Sequence, residues 1–441
     1  MFPSRKWLYP GMHVKRWIVL LIAGFMAFAL SGAMALAWIY RNVAVPEPFT
    51  DPVQAVTLQF IPHPFRELLV GSVGLALIVL AIWKLNASLM EVVAEPRRSE
   101  RLVDLVYARR LLKTGPRIVT IGGGTGQAVL LRGLKEYTNN LTAIVTVVDD
   151  GGSSGRLRRE FGALPPGDVR QCIGALAVAE PLMTRMLNYR FSKGNGLEGH
   201  SLGNLMMLAM ADLTGNFESG IRELSRVLAV RGQILPSTLE SVKLCAELED
   251  GRTISGESAV GDAGSTIKRV YLDRQHPTAF GEASQAILDA DYIILAPGSL
   301  YTSLLPNLLV PEISQAVAKS KALKLYICNV ATEPGETSHY GVAEHLEALK
   351  QHAPSDVCKL VLANDQTSIQ SANGTYELVK LPAEEREIDG VSVITADVID
   401  VEIPYQHSAV KLAQAVMQVY SDYGPTKRER KRAEAEPIEV S

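Results

Sequence analysis

Apolar residues fall along this chain in three different patterns, and the first is an unbroken run. Trp17 to Tyr40 is an uncharged stretch of about 24 residues, enough at ~1.5 Å per residue to cross a hydrocarbon core of ~30 Å. Trp17, Trp38 and Tyr40 lie at its ends, where interfacial aromatics are expected. Leu68 to Trp83 is a second run of about 16 uncharged residues; Lys84 can snorkel and Leu85 extends the apolar face, so a second span is expected. A cleavable signal peptide would have a shorter apolar region, about 7–15 residues. Arg5, Lys6, Lys15 and Arg16 precede the first run and Lys84, Arg97, Arg98, Arg101, Arg109 and Arg110 follow the second, whereas the proline-rich link from Arg41 to Arg66 is basic only at its ends. The positive-inside rule then predicts a hairpin with both termini in the cytoplasm. Residues 1–90 are expected to anchor the chain, multi-pass, in the cell inner (plasma) membrane, and 91–113 to form a charged connecting helix.

From residue 114 the pattern changes to short apolar runs alternating with amphipathic stretches. Ile118 to Ile121 and Ala143 to Val148 are strand-like runs with a helical pattern between them. Cys172 to Asn188, Ser201 to Leu213 and Ile221 to Leu228 have helical spacing, whereas Gly232 to Val270 breaks into short β-type runs punctuated by turns such as Asp250-Gly251. Strands are then expected at Tyr292 to Ala296, Leu325 to Val330, Lys359 to Leu362 and Val391 to Val398, alternating with helices at Ala283 to Leu288, Val310 to Lys319, Val342 to His352 and Ser408 to Tyr420. This alternation predicts an α/β domain over residues 114–426, a doubly wound, mainly parallel sheet with helices on both faces and a β-rich insertion. The third pattern is the charge-dense tail 427–441, which has no apolar stripe and is expected to be disordered.

Composition narrows the function. A formal net charge of −3 over 441 residues gives no support for a nucleic-acid surface. A charged fraction of 21% and a slightly positive mean hydropathy are apolar for a soluble enzyme and agree with a membrane segment. Cys172, Cys245, Cys328 and Cys358 lie far apart and read as buried small hydrophobes in a reducing compartment. The histidines are scattered, with no HExxH, and no Ser-His-Asp or Cys-His spacing is evident. Neither Cys172 nor His200 makes a strong nucleophile or base, so the catalytic residues stay unassigned.

The chemistry concentrates at strand ends. The loop Gly122, Gly123, Gly124, Thr125 and Gly126 follows the first strand and suits backbone approach to an anion, with Thr125 offering a hydroxyl. A full GxGxxG dinucleotide fingerprint would need glycine where Gln127 stands, which weakens a nicotinamide reading. Asp149 and Asp150 end the second strand. They are open to three roles: a ribose hydroxyl acceptor, a Mg²⁺ site against phosphate oxygens, or an ordinary Asp-Gly turn. Ser153, Ser154 and Gly155 follow, with Arg156, Arg158 and Arg159 expected beside the carboxylates. Asp168 reads equally as the N-cap of a helix or a ligand contact. Asn204 stands in the first turn of an apolar helix, while Gly298, Ser299 and Tyr301 follow one later strand and Asn329, Thr332 and Thr337 another.

Taken together, IGGGTG, VVDDGGSSGRLRRE, LPPGDVRQC, HSLGNLMM, APGSLYTSLLPNLLV and CNVATEPGET resemble the CofD-like superfamily, in particular its YvcK-like branch, the gluconeogenesis factors. The resemblance spans about residues 114 to 425 and leaves the N-terminal hairpin outside. It implies a Rossmann-like fold. It also implies binding of a UDP-sugar such as UDP-N-acetylglucosamine, with a regulatory link from carbon metabolism to cell-wall synthesis and cell shape through cell-envelope synthesis proteins. The Gly122 to Gly126 loop and Asn204 would then contact nucleotide or phosphate, and Tyr301 the nucleotide sugar. The CofD branch implies the alternative, a Mg²⁺-dependent phospholactyl transferase acting on a nucleotide-diphosphate donor, in which Asp149 and Asp150 would surround the metal. A homo-oligomer is compatible with either.

Overall fold

The computed structural model describes residues 112–367, 377–381 and 386–425, with a few isolated positions before residue 73. Residues 112–441 form one compact unit and 1–111 another. Apart from isolated helical positions such as Ile22, Phe25, Met26 and Ser72, both expected membrane runs lie outside the described residues, as do most of the connecting helix and the charged tail. Among the described residues no helix is long and apolar enough to cross a membrane.

Strand β1 (Ile118–Gly122) leads through helix α1 (Gly124–Leu134) to β2 (Leu141–Val145), so the opening unit forms as its alternation predicts. Helices α2 (Gly152–Phe161), α3 (Gly167–Leu176), α4 (Glu180–Asn188), α5 (Leu202–Thr214) and α6 (Phe217–Val227) follow before β3 (Gln233–Pro236). The insertion comprises β4 (Leu244–Leu248), β5 (Thr253–Ser255), the short α7 (Glu257–Gly261) and β6 (Ile267–Leu272). Next come α8 (Gly281–Leu288), β7 (Tyr292–Leu295), a π-helical turn (Leu300–Leu304), α9 (Leu305–Leu308), α10 (Pro311–Lys319) and β8 (Leu323–Ile327). Helix α11 (Val342–His352), β9 (Leu360–Asn364), β10 (Glu387–Ile388), β11 (Val391–Ala396) and α12 (Ala409–Tyr423) complete the unit.

The main sheet has eight strands in the order β10-β11-β9-β8-β7-β1-β2-β3, parallel except for the β10–β11 pair. Its first three strands run outward from β1, and the chain then returns to place β7 on the other side of β1. That is the doubly wound order, with its switch point between β1 and β7. Side chains of each strand alternate between two cores. Val119, Ile121, Ile144, Ile293, Leu295 and Val361 pack on one face, and Ile118, Ala143, Val145, Ile294, Leu325 and Leu362 on the other. Strands buried on both faces read as continuous apolar runs, which is why these were visible in the sequence.

Three expectations are corrected. Cys172 to Asn188 is two helices, because the chain is extended at Ala177 and Pro181 opens the second. Asp168 is not an N-cap: Pro166 occupies that position, and Asp168 is the second helical residue. The insertion's separate sheet is β5-β4-β6, whereas β3 joins the main sheet beside β2. The four cysteines are free thiols, all buried, as their dispersed spacing suggested.

Candidate functional site

The first glycine loop opens α1 at the switch point. Gly124 has φ +64°, a left-handed conformation that glycine adopts without strain. Gly126 packs so closely on the carbonyl of Pro297, just after β7, that a methyl group would collide with it. Gln127, the residue that breaks the dinucleotide fingerprint, is buried and structural. Its Nε2 donates to the Thr120 carbonyl at 3.1 Å, to Thr120 Oγ1 at 3.0 Å and to the Ile144 carbonyl at 3.1 Å, joining β1 to β2 under the loop.

A cavity of about 210 Å³ opens beside this loop, lined by Thr125, Gly126, Val129, Gly298, Asn329–Pro334 and Tyr405–His407. The Asn329 side chain grips the turn after β7 at two points: its Oδ1 accepts the Gly298 N–H at 3.0 Å and its Nδ2 donates to the Gly298 carbonyl at 2.8 Å. Asn329 thus shapes the cavity wall. Glu333 on that wall accepts a hydrogen bond from Ser299, while burial pushes its carboxyl up. His407 Nε2 lies 3.2 Å from the Cys328 carbonyl, and burial pulls its pKa down to about 4. It is therefore neutral near pH 7 and donates through Nε2.

The second loop is held from below. Asn204 Nδ2 donates to Ser153 Oγ at 3.1 Å and Ser154 Oγ at 3.3 Å, and Ser153 Oγ lies 3.0 Å from His200 Nδ1. Asp149 Oδ1 accepts the Gly151 N–H at 2.9 Å, while Asp150 Oδ1 accepts the Ser258 N–H from the insertion, also at 2.9 Å. The two carboxylates are thus engaged by different segments. Gly155 packs directly against the Asp150 carbonyl.

Asp168 joins the two loops, because its carboxyl accepts the Gly124 N–H while sensing Asp149. Burial and then that neighbouring charge push its pKa up to about 7. Burial, followed by Asp149, Asp168 and Asp150, pushes Glu257 up to about 8. Glu336 also rises to about 8, through burial and the charge of Glu333; its Oε1 accepts from Thr302 Oγ1 at 3.0 Å. The carboxyls from Asp149 to Glu333 therefore form one electrostatically coupled series around the glycine loops. Proton retention on several of them is the expected response to like charges in a desolvated place.

The described residues contain no group of three or more His, Cys, Asp or Glu side chains arranged to hold a metal ion by themselves. Mg²⁺ commonly needs only one or two carboxylates together with ligand phosphates, and Asp149, Asp150 or Asp168 can supply that number. There the cation would neutralise phosphate charge against the acidic series.

Most of the residues singled out by their place in the sequence come together here, under a different division of labour. Asp168 lies against Gly123 and Gly124 of the first loop with Asp149 beside it, Asp150 turns to the insertion, and Gly298 and Asn329 form the cavity wall. Ser153, Ser154 and Asn204 are buried supports, with Asn204 only 2% exposed. Tyr301 is 1% exposed and points into the core, its hydroxyl 3.0 Å from that of Tyr340. It offers no contact surface in this conformation. Arg156 and Arg158 turn away from the carboxylates to the carbonyls of Glu198 and Val242, and Arg159 is exposed. Glu257 and Tyr405–His407 carried no sequence signal, since an insertion loop and an irregular segment reach the site only through folding.

The family model described as 2-phospho-L-lactate transferase CofD matches residues 118–399. A putative gluconeogenesis factor of Nostoc sp. is 48% identical over 346 residues, 78% of this chain and 75% of that protein. The gluconeogenesis factor of Bacillus subtilis is 47% identical over 297 residues, covering 67% of this chain and 94% of its own length. The crystal structure of a UPF0052-family protein from Bacillus halodurans matches with a TM-score of 0.65 at 43% identity, over 69% of this chain and 99% of that one. With the doubly wound sheet and both glycine loops in place, the chain belongs to the CofD family and, within it, to the YvcK-like gluconeogenesis factors.

Proposed function

We propose that this chain is a regulatory protein that binds a UDP-sugar of the UDP-N-acetylglucosamine type. It would act from the inner membrane to link carbon metabolism with cell-wall synthesis and cell shape. The gluconeogenesis factor name of its relatives supports the metabolic half of this reading. The ligand half rests on one observation, the cavity at the β1/β7 switch point between the first glycine loop and Asn329–Pro334. In open α/β sheets that crevice is where nucleotides bind, with phosphates at the helix N-terminus. At about 210 Å³ the cavity is smaller than the ~300–1,000 Å³ of typical ligand pockets. It therefore suits one end of an extended ligand, the diphosphate lying across the loop towards Asp168, with Mg²⁺ offsetting the charge there.

Calorimetry of the full chain with UDP-N-acetylglucosamine and UDP-glucose, with and without Mg²⁺, tests this directly. Saturable binding is expected, weakened about tenfold by Asn329→Ala, which releases the Gly298 turn and loses a pair of hydrogen bonds. Absence of saturable heat with both sugars would overturn the reading.

The acidic series favours a second reading, a phospholactyl-type transferase. Asp168, with a pKa of about 7, can hold or release a proton at neutral pH beside Asp149. Incubation with a guanylylated phospholactate donor and a deazaflavin alcohol should then give product, lost in Asp149→Asn and Asp150→Asn. A wild type that forms none excludes this activity.

A further inference from the structure

A second recess, of about 230 Å³, opens among α1, α3 and α4. It shares Thr125 with the cavity at the switch point, but otherwise has its own lining, chiefly Arg132, Arg170, Gln171, Thr184 and Asn188. On α1, Thr125 and Arg132 lie seven positions apart, two turns along one helix face. Arg170 and Gln171 come from α3, and α4 closes the far side with Thr184 and Asn188.

Arg170 is the informative residue. It is only 7% exposed, its Nη1 donates to Asn188 Oδ1, and its Nε has no partner. Among the described residues it makes no ion pair with a carboxylate. Asp168 and Asp149 act on it from a distance, while burial and the charge of Arg190 oppose its ionisation. A guanidinium keeps its charge under such conditions. A buried charge without a directly paired anion is costly, and that cost is relieved when an anion supplies the missing partner. Arg132 brings a second cation to the same recess, and Gln171 and Thr184 bring polar groups. Two guanidiniums lining one recess with amide and hydroxyl groups supply the donor chemistry that a tetrahedral oxyanion takes.

We infer that this recess is a second ligand site, for phosphate or a small phosphate monoester. Apart from Thr125 its lining is separate from that of the nucleotide-sugar cavity, and only its effect on that cavity rests on the proposed function. Its volume of about 230 Å³ is ample for a phosphate carrying a short carbon chain. The two sites are also linked, since Thr125 Oγ1 in the first glycine loop donates to Gln171 Oε1 at 3.1 Å. An occupant beside Gln171 thus sits one hydrogen bond from the loop that would hold the diphosphate, which makes this a place from which a small phosphorylated metabolite tunes nucleotide-sugar binding.

The test is calorimetry of the full-length protein with inorganic phosphate in one arm and glycerol 3-phosphate in the other. Saturable binding of either supports the site, and tighter binding of the ester assigns the monoester as its ligand. Arg132→Gln, at a half-buried position, should weaken binding about tenfold, the worth of one charge-assisted hydrogen bond. Arg170→Gln should do so at least as strongly, with the melting temperature of each variant checking its fold. Saturating UDP-N-acetylglucosamine should leave phosphate binding in place. Lack of saturable binding of both probes, wild-type affinity in a folded Arg132→Gln protein, or simple displacement by the UDP-sugar would each overturn the inference. Failure of UDP-sugar binding with phosphate binding intact would instead count against the proposed function and the coupling that rests on it, and leave the phosphate site standing.

Discussion

At the residue scale, Gln127 and Asp168 have different effects on stability and on the site. Gln127 satisfies two buried backbone carbonyls and one hydroxyl, so Gln127→Leu keeps the volume but strands those acceptors. A loss of about 2 kcal/mol is expected, read as a lower urea midpoint at unchanged slope. Asp168 carries a pH effect of definite sign. Its carboxyl releases a proton near pH 3.8 when unfolded and near 7 when folded. Between those values the folded state holds more protons, so stability falls as pH rises through this window and levels off above it. Asp168→Asn removes that cost. Without ligand or divalent cation, its melting temperature should exceed the wild type's by a margin that grows from pH 4 to pH 8. A margin independent of pH would contradict the folded-state value. The sequence singled out Asp168 but assigned it equally to capping. Only the approach of the Gly124 N–H and of Asp149 shows why its proton is unusual.

At the element scale, α1 is held between the sheet and α12. A Cβ added at Gly133 would meet the Ala409 carbonyl and lie 2.6 Å from Ala413 Cβ. Gly133→Val should therefore force the helices apart and cost about 2–3 kcal/mol, lowering the denaturation midpoint. The same change at Gly162, where no atom lies within 4 Å of an added Cβ, acts only through its left-handed φ of 65° and should cost about 1 kcal/mol. Helix α11 was legible to its ends, because Gly341 and Glu344 form a local cap in which Glu344 Oε2 accepts the Gly341 N–H at 2.7 Å. The break between α3 and α4 was not, because both halves keep helical apolar spacing across an extended Ala177.

At the scale of the whole molecule, the Bacillus subtilis relative spans 94% of its own length within 67% of this chain. The compact unit beginning at Leu112 should accordingly fold without residues 1–111. Expressed alone, residues 112–426 should be soluble and melt in one transition. The full chain, if its two apolar runs span the bilayer as proposed, should sediment with membranes and resist alkaline carbonate extraction. Recovery of the full chain in the soluble fraction would count against the anchor.

The sequence by itself determined the alternating architecture, both glycine loops and most strand positions. Those features are local, since buried strands need unbroken apolar runs and tight loops need glycine, whatever lies elsewhere. Only the tertiary structure decided which polar residues meet. It brought Glu257 from the insertion to Asp149, turned Tyr301 into the core, made Asn204 a support for the serines and set Arg170 in a recess with no ion-pair partner among the described residues. Proximity between segments far apart in the chain follows from sheet order and packing, and no single stretch of residues encodes it.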